Sequence, residues 1–260
     1  MMRKTKTTGY CPSAPLVMIV GNYGSGKTEV AVNLALALRG AGREVRIADL
    51  DIVNPYFRCR EARDLLEARG IRVVMPPGAQ RYADLPIVVP EIKAMLRPRG
   101  DCVSLFDVGG DDAGAMLLSS LWEALGESPY SLLQVINARR PFTDSLEGCL
   151  RMKSAIEEAS RLKVTGLVSN THLIDETTAE TILEGYRLAR AVSMRCGVPI
   201  AFVTAMGDLA EDAALRDLPA PVMRLERHML PPWIAREPED VRPSASGPEP
   251  APPARPIFRP

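Results

Sequence analysis

Through most of the chain, short apolar runs rich in β-branched residues alternate with longer segments whose apolar positions recur at helical spacing. The runs LVMIVG, EVRIADL, CVSLFDV, SLLQVIN, KVTGLVSN, PIAFVTA and APVMRL read as strands. The intervening segments 27–42, 56–70, 144–162 and 176–197 read as helices, with glycine where a helix end is expected. Such alternation predicts βα units stacked into a largely parallel, doubly wound sheet covered on both faces by helices. One such domain spans residues 15–232, preceded by a flexible segment at 1–14 and followed by a proline-rich tail at 233–260. The tail is short of bulky apolar residues, so burial cannot offset the entropy of ordering it, and disorder is expected there. Its last residues, IFRP, read as a solvated end or a docking peptide. Residues 75–101 carry several prolines and read as a surface excursion with one short helix. No internal repeat is present.

Composition narrows the partners. The chain has 260 residues, 46% hydrophobic and 25% charged, enough to bury a sizeable core. Lys plus Arg and Asp plus Glu each number 32, so no global field draws it to nucleic acid or an anionic membrane. Neither partner is expected. Cys11, Cys59, Cys102, Cys149 and Cys196 are far apart, form no C-x-x-C pair, and read as free thiols. Basic residues precede the first apolar run as in a secretory leader, but that run is too short to span a bilayer and leads straight into a glycine loop. It reads as a strand, and a cytoplasmic location follows as the expectation.

The chemistry begins at GNYGSGKT, which fits G-x-x-x-x-G-K-[ST] with a strand before it and a helix after it. Glycines let such a loop fold back so that backbone N–H groups face phosphate oxygens, assisted by the positive end of the next helix. The expected nucleotide contacts are Gly21, Asn22, Tyr23, Gly24, Ser25, Gly26, Lys27, Thr28 and Glu29. Lys27 reaches the β- and γ-phosphates in this reading, and the Thr28 hydroxyl sits on Mg²⁺.

Two aspartate stretches add to the loop. DLDIVNPYF places Asp49 and Asp51 at the carboxyl end of the second strand, and DVGGDD places Asp107 at the end of another. A strand-terminal aspartate beside a nucleotide holds the metal, commonly through water, and Gly110 in D-x-x-G offers its N–H to a γ-phosphate. Asp51 is the candidate for orienting the attacking water. Asp111 and Asp112 read as a helix cap and a solvated neighbour.

On these three stretches the chain resembles the MinD/ParA/CobQ-like branch of P-loop NTPases, a group related to signal-recognition-particle GTPases and nitrogenase iron protein. The resemblance covers most of the domain in element order, with strong motif identity confined to GNYGSGKT, DLDIVNP and DVGGDD. It implies a three-layer α/β/α P-loop NTPase fold whose mostly parallel sheet has about seven or eight strands, binding ATP and Mg²⁺. Carried over, Lys27 and Asp51 are the catalytic residues, and Thr28, Asp49 and Asp107 serve the metal. Many members carry a signature lysine just after the first loop glycine that crosses a dimer interface. Here that position is Asn22, and Arg139 or Arg140 after a strand end is either a substitute charge or a solvated pair. No N-K-x-D stretch for guanine is present. The resemblance puts an asparagine near adenine at Asn170, where a loop cap is the other reading. Asp208 reads as a helix cap, and His172 and His228 as isolated structural residues.

Three functions fit. One is a nucleotide-controlled switch or assembly and maturation factor, an ATPase whose loops are ordered by γ-phosphate and read by a protein partner, with a nucleotide-dependent homodimer as one form. Another is a synthetase or kinase activating a small acid, similar to the ATPase part of cobyrinic acid diamide synthase or to dethiobiotin synthetase, without a glutaminase domain. The last is a low-turnover nucleotide sensor. Arg58, Arg60 and Arg63 follow DIVNPYF and face the nucleotide edge, an anionic substrate, or solvent.

Overall fold

The computed structural model describes residues 10–51, 62–74, 90–110 and 112–229. In chain order the elements are β1 (Leu16–Gly21), α1 (Lys27–Gly40), β2 (Val45–Leu50), α2 (Arg63–Ala68), β3 (Arg72–Val74), α3 (Pro90–Met95), β4 (Val103–Val108), α4 (Asp112–Leu125), β5 (Tyr130–Ile136), α5 (Leu146–Ser160), β6 (Gly166–Ser169), α6 (Ala179–Cys196), β7 (Ile200–Met206) and β8 (Val222–Leu225). Short 3₁₀ turns lie at Ile174–Glu176, Gly207–Glu211 and Ala213–Leu215.

The eight strands form one sheet in the order β3-β2-β4-β1-β5-β6-β7-β8, and every pairing is parallel. This is the three-layer α/β/α architecture with a parallel sheet of seven or eight strands expected from the sequence. Both faces are buried, as all-parallel sheets require, and side chains of a strand divide between two cores with a period of two. Leu16, Met18 and Val20 of β1 join a cluster containing Ile92, Leu117, Leu121, Ile156 and Val192. Val17 and Ile19 join the opposite cluster with Val30, Leu34, Leu38 and Leu66. Helices α1 and α2 thus cover one face, and α3 to α6 the other.

Two elements lie outside the sequence reading. Strand β3 is only three residues long, too short for alternation to register. Helix α4 buries Leu117, Leu118, Leu121 and Leu125 at helical spacing, a signal that the sequence does carry. The short helix expected in the excursion is α3, anchored from β2 by Arg46, whose guanidinium donates to the carbonyls of Met95 and Arg97. The packed core begins upstream of Pro15: the Tyr10 ring lies 4.8 Å from that of Phe202, and burial raises its hydroxyl pKa to about 12. Among the free cysteines, Cys102 and Cys149 are buried, Cys196 half-buried and Cys11 exposed, while Cys59 is outside the described residues. No helix among the described residues is long and apolar enough to cross a membrane. The tail falls outside the described residues.

Candidate functional site

All strands end at one edge of the sheet, and the outward order of β1, β2 and β3 reverses at β4 and β5, which flank β1 on either side. The loop 21–28 emerges at this reversal, where parallel sheets collect ligands. Its turn closes through Ser25 N donating to Asn22 O at 3.2 Å. Gly26 caps α1 with φ 86, a left-handed conformation that side chains rarely adopt. A β-carbon there would lie 2.3 Å from Asn170 Nδ2. Glycine is therefore required twice over, by backbone shape and by close approach.

Lys27 opens α1 and is 6% exposed, its ammonium donating to Asn22 O at 3.3 Å. Around it stand three buried carboxylates. Register pairs Asp49 of β2 with Asp107 of β4, and Asp51 follows β2 with its N–H donating to Asp49 Oδ1 at 3.1 Å. Asp107 is fully buried, and neither of its oxygens has a hydrogen bond of normal geometry among the described residues. Its pKa is pushed up to about 8, first by burial and next by the Asp49 charge, with Lys27 and the Thr28 hydroxyl pulling the other way. Such a group invites a compensating partner.

The metal expectation can be tested against this chemistry. Thr28, Asp49, Asp51 and Asp107 offer only hard oxygen donors, which suits Mg²⁺. Among the described residues no three His, Cys, Asp or Glu side chains are arranged to hold a metal by themselves.

Gly110 brings the β4 end onto the loop. A β-carbon at Gly110 would fall 2.7 Å from Lys27 Nζ, 2.8 Å from Tyr23 N and 2.9 Å from Asn22 C. Two of those neighbours are backbone, so the loop itself must yield. Gly110→Ala is expected to weaken nucleotide affinity by roughly 10–100-fold, the cost of overpacking a rigid contact, read by calorimetric titration. Affinity unchanged within a factor of two would mean that the two loops do not touch in the bound protein.

A cavity of 390 Å³ adjoins the loop, lined by Lys27, Thr28, Asp51, Arg140, His172 and Arg227 among others. Asn170, expected at the base edge, lines it too, but its amide is engaged at both ends. Nδ2 donates to Ser25 O at 2.6 Å and Oδ1 accepts from Thr204 Oγ1 at 2.5 Å. It braces the phosphate loop against β7. Glu29 lines the cavity as well, and its carboxylate accepts from the N–H groups of His228 and Met229 at 2.7 and 3.0 Å, tying α1 to the exit of β8. Burial raises its pKa.

His172, read from sequence as isolated, lies on the cavity wall beside Gly26. Burial, then Arg140 and Arg227, lower its pKa and favour the neutral ring. Asp175 pairs with Arg227 at 3.5 Å on the same wall. The segment 170–175 follows a strand end, which could have flagged it, whereas Arg227 and Met229 carry no local signal at all.

Asp208 does not cap a helix: it pairs with Arg224 at 3.3 Å, and Asp212 is the residue that caps, accepting from Ala214 N. Arg63 pairs with Glu67 on α2. Arg58, Arg60 and Asp111 lie outside the described residues.

No known protein-family profile matches the chain, and no curated protein matches it. Among solved structures it is similar to the cell division protein FtsY of Thermotoga maritima, at 24% identity with a TM-score of 0.50, covering 78% of this chain and 66% of that one. It is also similar to chloroplast FtsY from Physcomitrella patens, at 18% identity and TM-score 0.50, covering 74% and 59%. A third, more distant likeness is to the signal recognition particle 54 kDa protein of Aeropyrum pernix in complex with GDP, at 21% identity and TM-score 0.47, covering 74% and 42%. The chain thus spans about two-thirds or less of the two FtsY proteins, and what it shares with them is the fold.

Proposed function

We propose that this chain binds a purine nucleoside triphosphate with Mg²⁺ and works as a nucleotide-controlled switch that hydrolyses it slowly. The observation that carries the reading is the meeting of three strand ends. Gly110 rests on Lys27 and the loop backbone, while Asp107 and Asp49 converge beside Thr28 with one oxygen pair still unsatisfied. Backbone N–H groups of the loop and the Lys27 ammonium hold the phosphates. Thr28 is the direct metal ligand, with Asp107 and Asp49 behind it, and Mg²⁺ there offsets phosphate charge. Asp51 orients water at the γ-phosphate, and Gly110 offers its N–H to that phosphate. Loss of the γ-phosphate then frees the Gly110 contact, which is the switching event a partner would read.

The sequence points to ATP, with Asn170 at the base. Because the Asn170 amide braces Ser25 and Thr204, base recognition falls instead to the wall formed by Thr171, His172, Asp175 and Arg227. MgATP and MgGTP are therefore titrated side by side, with and without EDTA, and the oligomeric state is followed by light scattering with a non-hydrolysable analogue. Metal-dependent binding of one purine triphosphate, with slow hydrolysis, is the expected result. Binding of neither nucleotide would end this reading. Tight binding without hydrolysis or self-association would favour the low-turnover sensor.

A further inference from the structure

A second cation faces the phosphate loop from β5. The corner after that strand is braced at each step: Asn137 Oδ1 accepts from Arg139 N at 2.9 Å, and Asn137 O accepts from Arg140 N at 3.1 Å and from the Thr143 hydroxyl at 2.9 Å. Phe142 takes φ 70, a left-handed conformation costly for an aromatic residue, and persists because its surroundings hold it. Its carbonyl sits where a β-carbon on Gly148 would come within 2.4 Å. The corner therefore has one shape, and the two arginines on it diverge. Arg139 forms an ion pair with Glu184 of α6. The Arg140 guanidinium instead lies over the loop, with Cζ and Nε each 3.2 Å from the position a β-carbon on Gly24 would take. It lines the cavity and makes no side-chain hydrogen bond or ion pair among the described residues. Next to it, Asn22 reaches out of the loop and donates from Nδ2 to Pro141 O at 2.7 Å, while Asn22 Oδ1 accepts from Tyr23 N.

We propose that Arg140 is a phosphate-binding residue supplied from within the same chain, and that Asn22 is the positioning residue that stitches its corner to the loop. The inference rests on the nucleotide reading above. Charge supports it: Lys27 already faces Asp107, so a polyphosphate needs another cation, and a guanidinium offers a planar set of donors suited to phosphate oxygens. Asn22 brings no charge of its own. Its contribution is geometric, holding the Pro141 carbonyl and with it the backbone one residue from Arg140.

The test is a titration with the mono-, di- and triphosphates of whichever purine the wild type binds. Arg140 is exposed, so Arg140→Ala is expected to keep the wild-type melting temperature while losing about 10–100-fold in triphosphate affinity, less for the diphosphate and least for the monophosphate. Arg140→Lys recovers part of the loss. Asn22→Ala weakens the triphosphate by roughly 3–10-fold alone and adds nothing in the Arg140→Ala background, the mark of residues acting through one another. If the wild type binds and Lys27→Ala does not, yet Arg140→Ala binds all three nucleotides as the wild type does, the inference is overturned and the nucleotide reading stands. An equal loss for all three phosphates overturns it as well, since Arg140 would then act on the nucleoside. A wild type that binds none overturns both.

Discussion

Lys27→Ala is expected to lower affinity for the Mg²⁺–triphosphate at least about 100-fold while leaving the sheet and its helices intact by circular dichroism. Lys27 is the first residue of α1 and almost fully buried, so its ammonium is held at the loop rather than sampling solvent. Its donation to Asn22 O keeps the charge at the centre of the loop, and the Gly110 backbone closes over it from β4. In the proposed complex a phosphate entering there meets a preoriented cation, and truncation leaves only the loop N–H groups and Arg140 to offset the Asp107 and Asp49 carboxylates. Lys27→Arg is expected to rescue little, because the space above the ammonium is filled by Gly110 and the larger planar group cannot fit. Titration calorimetry on both variants checks this. A dissociation constant within threefold of wild type for Lys27→Ala would remove the loop from the binding site.

The second large effect is expected at Asp107, where function and stability oppose one another. With its carboxyl pushed up to about 8, Asp107 holds a proton in the folded protein that it releases on unfolding at any pH between its ordinary 3.8 and about 8. Stability from this group is fully present below 3.8 and is lost as pH rises toward 8. Asp107→Asn cannot ionise, so the variant should lack that decline. At pH 8 without nucleotide it should melt several degrees above wild type, because the amide is spared the buried charge that the wild type then carries. In Mg²⁺–triphosphate the order should reverse, because the wild type gains the metal's compensation and the variant does not. Scanning calorimetry at pH 6 and 8, with nucleotide plus Mg²⁺ or plus EDTA, separates the two contributions. A variant less stable than wild type at pH 8 without nucleotide would mean that the carboxylate has a partner after all.

Much of this arrangement is legible in the sequence because it is local. Strand and helix periodicities specify the sheet, and the spacing of Gly21, Gly26, Lys27 and Thr28, read with a strand before it and a helix after it, singles out the loop. Asp49 and Asp107 are readable as strand-terminal, and the register places them side by side. The rest depends on partners remote in the chain. Asn170 reads as a base contact at a strand end, and its amide also donates to Ser25, 145 residues away, a bond that no local pattern announces. Arg139 and Arg140 are neighbours with identical side chains, and only the presence of Glu184 on α6 separates them. His172 lacks any sequence companion, and its place on the cavity wall follows from β6 lying beside β5.

The tie between Glu29 and the amides of His228 and Met229 has a practical corollary. Those two N–H groups are protected by a carboxylate that sits one residue beyond Thr28, so their deuterium uptake is governed by how firmly the start of α1 is held. Slower exchange at the exit of β8 on adding nucleotide is therefore the expected result, readable by mass spectrometry without a mutation or a turnover assay.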